Sequence, residues 1–280
     1  MRLHVAVRRV ALLAAVPFAL TVPASAAVGD GASVPGDAVA IVGEAPISND
    51  EFAHWMTVAA TSRQASIDAT IPPTVPVPPD FTACVAAATA ALPETPPKGK
   101  TTPTDAQLKE RCRKDYEELR DEVLQFLITA QWIIGEAGSQ GIELTDQQVQ
   151  AEYAKQKKQN YPKDADFRKF LKISGMTIDD LLMRVKVDTL SDRLRGKVTK
   201  GAATPTRAQI KAYYLKHKRQ FRRKTLKQAT PQIARTLKQQ RQQKALAAFV
   251  VTLHDDWKAR TICRSGYVIE SCANAPAPTR

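Results

Sequence analysis

The apolar positions of the chain follow two periods. Near the start they are strand-like: Val39-Ala-Ile-Val42 and Ala45-Pro-Ile47 are short runs separated by Gly43-Glu44. A Gly-X pair suits a two-residue type II′ hairpin turn, because glycine takes a positive φ at no steric cost. Ser48-Asn-Asp-Glu51 then has the form of a capping box, and the period becomes helical. Phe52, Trp55, Met56 and Ala59 share one face of a helix predicted from Asn49 to Arg63. A long helix follows Thr104-Asp-Ala-Gln107, with Leu108, Cys112, Tyr116, Leu119, Val123, Phe126, Ala130, Ile133 and Ala137 in one stripe and Gly141 suited to its C′ position. At ~1.5 Å per residue it spans on the order of 50 Å and forms the spine.

Further N-caps recur along the chain. Thr145-Asp-Gln-Gln148 opens one helix, and Asp164 or Asp166 opens a short one after Pro162. Thr177-Ile-Asp-Asp180 opens a long helix carrying Leu181, Leu182, Val185, Leu190, Leu194 and Val198. Thr206 opens another, ending near Lys218. The last helix is predicted from Thr230-Pro231, with proline at the first helical position, and carries Ile233, Leu237, Leu246, Phe249, Val250, Leu253 and Trp257. Arg264 to Glu270 reads as a short closing strand. The fold class is mainly α, with a small hairpin or sheet joining the N- and C-terminal segments.

Composition punctuates this pattern. Nine of the eighteen prolines fall between Ile71 and Pro103, which marks an excursion with a short helix near Phe81 to Leu92. The chain divides into residues 1–26, a signal peptide; 27–64, hairpin and first helix; 65–103, the Pro-rich excursion; 104–272, the helical domain; and 273–280, a disordered tail. The first segment has a basic start (Arg2, Arg8, Arg9), an apolar run from Val10 to Val22 and an A-x-A site at Ala24-Ser-Ala26. The run is shorter than the ~20 residues that span a bilayer, so the reading is an exported protein: secreted, periplasmic or in the cell envelope. The four cysteines, Cys84, Cys112, Cys263 and Cys272, allow three pairings. Closeness in sequence favours Cys84–Cys112 and Cys263–Cys272, and an oxidising compartment favours disulfides over a metal site or a nucleophile.

Charge is concentrated late in the chain. Arg207 to Arg264 holds sixteen Lys/Arg and two Asp/Glu, while the whole chain is +13. The densest cluster is Arg219, Arg222, Arg223 and Lys224, the candidate anion-binding residues. Its readings are anionic lipid headgroups or envelope polymers, unfolded acidic polypeptides, or simply a solvated helix face. Export argues against nucleic acid. Asp179 and Asp180 sit where a helix dipole favours them, and Asp255 and Asp256 are expected to pair with Lys258 or Arg260. His254 has no second ligand cluster around it. No Gly-rich phosphate loop, G-x-S-x-G or H-E-x-x-H is present, so no catalytic, metal or cofactor residues are assigned.

The hairpin and helix at Val39 to Ala59 resemble the start of the chaperone module of the SurA/PrsA foldases. In the same order, Phe126-Leu-Ile-Thr-Ala-Gln-Trp132 with Gly135-Glu-Ala resembles that family's central helix. Tyr161-Pro162, Asp166-Phe167, Phe170-Leu171, Ser174-Gly-Met-Thr177 and Leu181-Leu182 resemble its client-cradle helices. Ile210, Tyr213-Tyr214 and Phe221 resemble the helix that leads into its isomerase module, and Cys263-Arg-Ser-Gly-Tyr-Val268 with Cys272 resembles a C-terminal closure. The resemblance implies an extracytoplasmic chaperone for unfolded or newly secreted polypeptides. It also implies that the last helix and a strand at Tyr267–Ile269 return to the hairpin. A parvulin isomerase would lie between Phe221 and Pro231, where nine residues stand; that is too short for a domain. The expectation is therefore a chaperone without chemistry. Candidate client-binding residues are Met56, Trp132, Phe170, Met176, Met183, Tyr213 and Tyr214, for each of which core packing is the competing role. The alternatives are a peptidyl-prolyl isomerase by family membership and a basic envelope-binding structural protein.

Overall fold

The computed structural model describes residues 34–67, 73–94, 101–202 and 204–277. The proposed signal segment lies outside them, as do parts of the Pro-rich excursion and the last three residues of the tail. Among the described residues the architecture is mainly α with one small antiparallel sheet. Strands β1 (Ala38–Val42) and β2 (Ala45–Ser48) lead into α1 (Asn49–Ile67). Helices α2 (Thr82–Ala90), α3 (Asp105–Ser139), α4 (Asp146–Asn160), α5 (Asp164–Ser174) and α6 (Ile178–Lys200) follow. Then come α7 (Arg207–Lys216), a 3-10 turn (Lys218–Phe221), α8 (Leu226–Lys258) and strand β3 (Thr261–Cys263).

Local sequence accounts for most boundaries. In the hairpin Val42 pairs with Ala45, leaving the two-residue turn whose Gly43 has φ +62°. The Ser48 hydroxyl accepts from the Glu51 N–H at 3.0 Å and starts α1. Thr104, Thr145, Thr177 and Thr206 each cap a helix with a full reciprocal box to Gln107, Gln148, Asp180 and Gln209. These boxes satisfy backbone N–H groups that a helix start leaves unpaired. Gly141, past the end of α3, has φ +66°, and its N–H reaches back to Gly138.

The sheet has the order β2-β1-β3, so the hairpin's first strand is the middle one. Ala40 pairs with Cys263, Ile41 with Ile262 and Val42 with Thr261. Closure between the chain's two ends is therefore present, but its strand lies before Tyr267, not at it. The chain turns at Gly266 (φ +85°) with the Tyr267 N–H on the Arg264 carbonyl, and the Cys263–Cys272 disulfide holds the resulting loop. Tyr267 still reaches the start of the fold, edge-on to Phe52 at 5.3 Å. Ala273 and Asn274, assigned to a disordered tail, are tied down: the Ala273 N–H donates to the Thr261 carbonyl at 2.7 Å, and Asn274 bonds both backbone groups of Cys263.

Three further expectations are corrected. Helix α8 starts at Leu226, not Thr230: Thr225 and Gln228 form a fifth capping box, and Pro231 lies inside the helix. Pro231 is the sixth helical residue, so its missing N–H leaves the Lys227 carbonyl without its bond inside the helix. Helix α5 is capped by Lys163 without a side-chain bond, and Asp164 and Asp166 sit in its first turn. Asp255 lies 3.0 Å from His254 Nδ1, in place of the ion pairs expected with Lys258 or Arg260.

The main core joins the sheet, α1, α3 and the C-terminal segment, with Leu124, Leu127, Ile128, Val39 and Ile47 fully buried. Trp257 locks α8 onto it. A Cβ on Gly135 would stand 1.9 Å from the Trp257 ring, and one on Gly43 would stand 3.5 Å from it. The indole therefore lies on bare backbone of α3 beside the hairpin turn, and its N–H donates to Glu136 at 3.0 Å. Thr261, fully buried, accepts from the Trp132 N–H at 2.8 Å and donates to the Trp257 carbonyl at 2.7 Å. A second cluster couples α3, α6 and α8 through Ala137, Leu190, Leu194 and Phe249. A third, of Ile210, Phe221, Ala229 and Ile233, holds α7 against α8. Helix α2 buries no side chain of its own and is held to α3 by the Cys84–Cys112 disulfide.

Gly135→Ala should lower stability by up to about 2 kcal/mol, since overpacking costs ~1–3 kcal/mol against a helix-propensity gain of ~1 kcal/mol. Gly138→Ala, where an added Cβ meets nothing within 4 Å, should instead hold or raise stability. The urea midpoint should fall for Gly135→Ala and stay level or rise for Gly138→Ala. The disulfides should also separate. Replacing Cys263 and Cys272 together by alanine should cost about 2–3 kcal/mol of global stability. Replacing Cys84 and Cys112 should chiefly open residues 73–94 to limited proteolysis, because α2 contributes no buried side chain to the core.

Candidate functional site

Helices α5 and α6 meet at a tight corner. Gly175 ends α5 with φ +69°, and an added Cβ would stand 3.2 Å from Thr61 of α1. Only glycine supplies both that conformation and that close approach. The corner is set by Thr177 and Asp180 in their capping box, and Asp180 also binds α1: His54 Nε2 lies 2.8 and 2.9 Å from its two carboxylate oxygens. Asp180 is buried, so this bridge fixes the α6 start against α1.

Around this corner apolar side chains stay open. Ile173 is 38% exposed and Ile178 is 48% exposed, flanking Met176, which is half-buried against the main core. Phe170 is half-buried with its ring tilted against Tyr161 at 4.9 Å, while the buried Phe167 stacks with it at 6.4 Å. Lys157 lies over the Phe167 ring at 4.9 Å and pairs with Asp164 at 2.9 Å, fastening α4 to α5. Met183, one turn into α6, is half-buried against the main core. The corner is thus a firmly seated set of flexible and branched apolar side chains with part of their surface in solvent.

Next to it, Arg184 lies over Trp55 at 5.1 Å and over Phe126 at 5.0 Å. Crowding against these rings lowers the guanidinium pKa, with Asp188 and Asp180 opposing the shift. Burial pushes the Asp188 carboxyl up, and Arg184 pulls it back. The side chain is partly exposed; it covers the two rings and keeps a charged head beside them.

The predicted client-binding residues divide. Phe170, Met176 and Met183 gather at or beside the corner. Met56 and Trp132 are buried in the main core, and the Trp132 N–H is committed to Thr261. Tyr213 and Tyr214 belong to the separate α7–α8 cluster. Ile173 and Ile178 were not singled out in the sequence; the available signal was the pair of isoleucines bracketing Ser-Gly-Met-Thr. The predicted anion-binding residues Arg219, Arg222, Arg223 and Lys224 are all exposed around the 3-10 turn, far in sequence from the corner.

Among the described residues no helix is long and apolar enough to cross a membrane, and no group of three or more His, Cys, Asp or Glu is placed to hold a metal ion. Comparison with protein-family models, curated proteins and solved structures found no match to this chain.

Proposed function

We propose that this protein is an exported chaperone that holds unfolded or newly secreted polypeptides through the apolar corner between α5 and α6. The observation that carries the reading is the exposure of Ile173 and Ile178 around Met176 on a corner otherwise pinned by Gly175, Asp180 and His54. Export is supported by two disulfides, which suit an oxidising compartment. The SurA/PrsA resemblance is supported by the hairpin–β3 closure. At the place where an isomerase module would enter, only Arg222 to Thr225 separate Phe221 from α8.

The mechanism follows from magnitudes. Burying a few half-open apolar side chains gains roughly 1–3 kcal/mol each. Association and client ordering consume much of that sum. Affinity per corner is then about micromolar or weaker, and with ordinary association rates a client leaves within about a second. Release needs no nucleotide. The client is an extended segment whose apolar side chains cover Ile173, Met176, Ile178 and Phe170 while the rest of it folds.

Suppression of light scattering by a thermally unfolded test enzyme checks this. Near-stoichiometric protein should delay aggregation, and Ile173→Ser with Ile178→Ser should weaken protection several-fold at unchanged helical content. Failure of the unaltered protein to protect overturns the chaperone reading; full protection by the double variant removes the corner from it. Acceleration of prolyl isomerisation above background would overturn the absence of chemistry.

A further inference from the structure

From Arg193 to His254 the chain carries seventeen Lys/Arg and no Asp or Glu over 62 residues, against a net charge of +13 for the whole chain. The remainder is thus slightly acidic in net charge, and the net positive excess lies at the end of α6, in α7, the 3-10 turn and most of α8. Their carboxylate-free sequence means that no acid within it can neutralise these cations. Helix α7 packs on α8 and the turn through Ile210, Phe221, Ala229 and Ile233. This gives α7, the turn and the start of α8 a small core of their own and leaves Arg219, Arg222, Arg223 and Lys224 exposed.

The turn is rigid. Tyr214 stacks on Phe221 at 5.8 Å, and its hydroxyl donates to the Lys224 carbonyl at 2.9 Å. The Lys224 N–H closes back on the Phe221 carbonyl at 2.8 Å, and Tyr213 stacks on His217 at 4.2 Å. Tyr214, Lys218, Arg219, Phe221 and Arg222 frame an open hollow of 330 Å³. Its chemistry is that of a phosphate receptor: guanidinium and ammonium donors on an aromatic floor. Leu215 is 51% exposed on α7, one helical turn after Lys211.

We propose that this acid-free arm docks the protein on an anionic phospholipid surface, with headgroup phosphates at Arg219, Arg222, Arg223 and Lys224 and Leu215 entering the interface. Charge complementarity selects a dense array of phosphates. The exposed leucine selects a lipid surface over a dissolved polyanion, because only a bilayer offers it an apolar phase. The disulfides suit an oxidising compartment, where nucleic acid is not the resident polyanion. The site is separate from the α5–α6 corner, so it stands whether or not the protein protects unfolded clients.

Co-sedimentation of the purified protein with vesicles tests this. It should bind mixed phosphatidylglycerol–phosphatidylcholine vesicles, ignore phosphatidylcholine alone, and release as salt rises. At about fivefold per basic residue, joint replacement of Arg219, Arg222, Arg223 and Lys224 by glutamine should weaken binding on the order of a hundredfold or more. Leu215→Ser should weaken vesicle binding severalfold and leave capture by inorganic polyphosphate unchanged. Glutamine at Lys158, Lys163, Lys169 and Lys172, four exposed lysines of α4, α5 and the turn between them, should retain vesicle binding. Circular dichroism confirms that each variant folds. Three outcomes overturn the proposal: no preference for anionic vesicles, equal loss in the two quadruple variants, or capture of polyphosphate or duplex DNA without vesicle binding.

Discussion

The fold depends on the seating of one indole. Trp257 lies on the bare backbone of Gly135 and beside the turn at Gly43, so the end of α8 touches the spine and the hairpin at once. An aromatic of this size buries on the order of 150–250 Å², a larger gain than any single ion pair on this surface offers. Its position fixes Thr261 four residues on, whose hydroxyl links Trp132 to the Trp257 carbonyl and whose backbone enters the sheet opposite Val42. Arg264 extends the closure, donating to the Gly36 carbonyl at 2.7 Å and to Asn49 at 2.9 Å, with its guanidinium over Tyr267. The contacts to Gly36, Val42, Gly43 and Asn49 join residues more than two hundred positions apart. Their loop-closure entropy is large, so closure belongs late in folding, after the locally capped helices have formed.

Helix starts were legible because capping is local. The T-x-x-Q or T-x-x-D box needs four residues and no tertiary context, and it placed α3, α4, α6 and α7. It also occurs at Thr225, yet the Thr230-Pro231 pair, an equally local signal, pointed five residues further on. Five residues of new helix before the proline, Leu226 to Thr230, were enough to close the box and tolerate the lost bond. The closing strand was misplaced for a different reason. Tyr267-Val-Ile269 has strand-like composition, but a disulfide between Cys263 and Cys272 leaves no room for an extended run, and the ladder falls on Thr261–Cys263. Which of several strand-like residues pairs with a distant partner is a tertiary fact.

The site was legible only in part, because burial is also tertiary. Met56 and Phe170 read alike as apolar residues on helices. One faces α3 and the sheet and is buried; the other sits on an eleven-residue helix with too few neighbours to cover it. Trp132 could be placed in the core only by knowing that Thr261 would supply its hydrogen-bond partner. Ile173 and Ile178 escaped notice because a turn separates them, and neither helical nor strand periodicity brings them to one surface.

Helix α8 connects the two chemistries of the molecule. Its C-terminal half supplies Leu253 and Trp257 to the main core, and its N-terminal half packs through a small core on α7 and on the turn that carries the cationic cluster. Like charges gathered on one arm repel each other and would loosen a helix that stood alone. Here that strain is borne by a rod whose far end is locked by Trp257, and whose middle is held to α3 and α6 through Phe249. At the apolar corner, by contrast, Asp180 is turned inward to its cap and to His54, and Asp179 beside Ile178 is the acid left exposed on that turn. Segregation of this kind lets a cationic surface and an apolar surface coexist without neutralising or burying one another. The arm keeps its own small core of Ile210, Phe221, Ala229 and Ile233, and the closure through Trp257 anchors the far end of the helix that carries it.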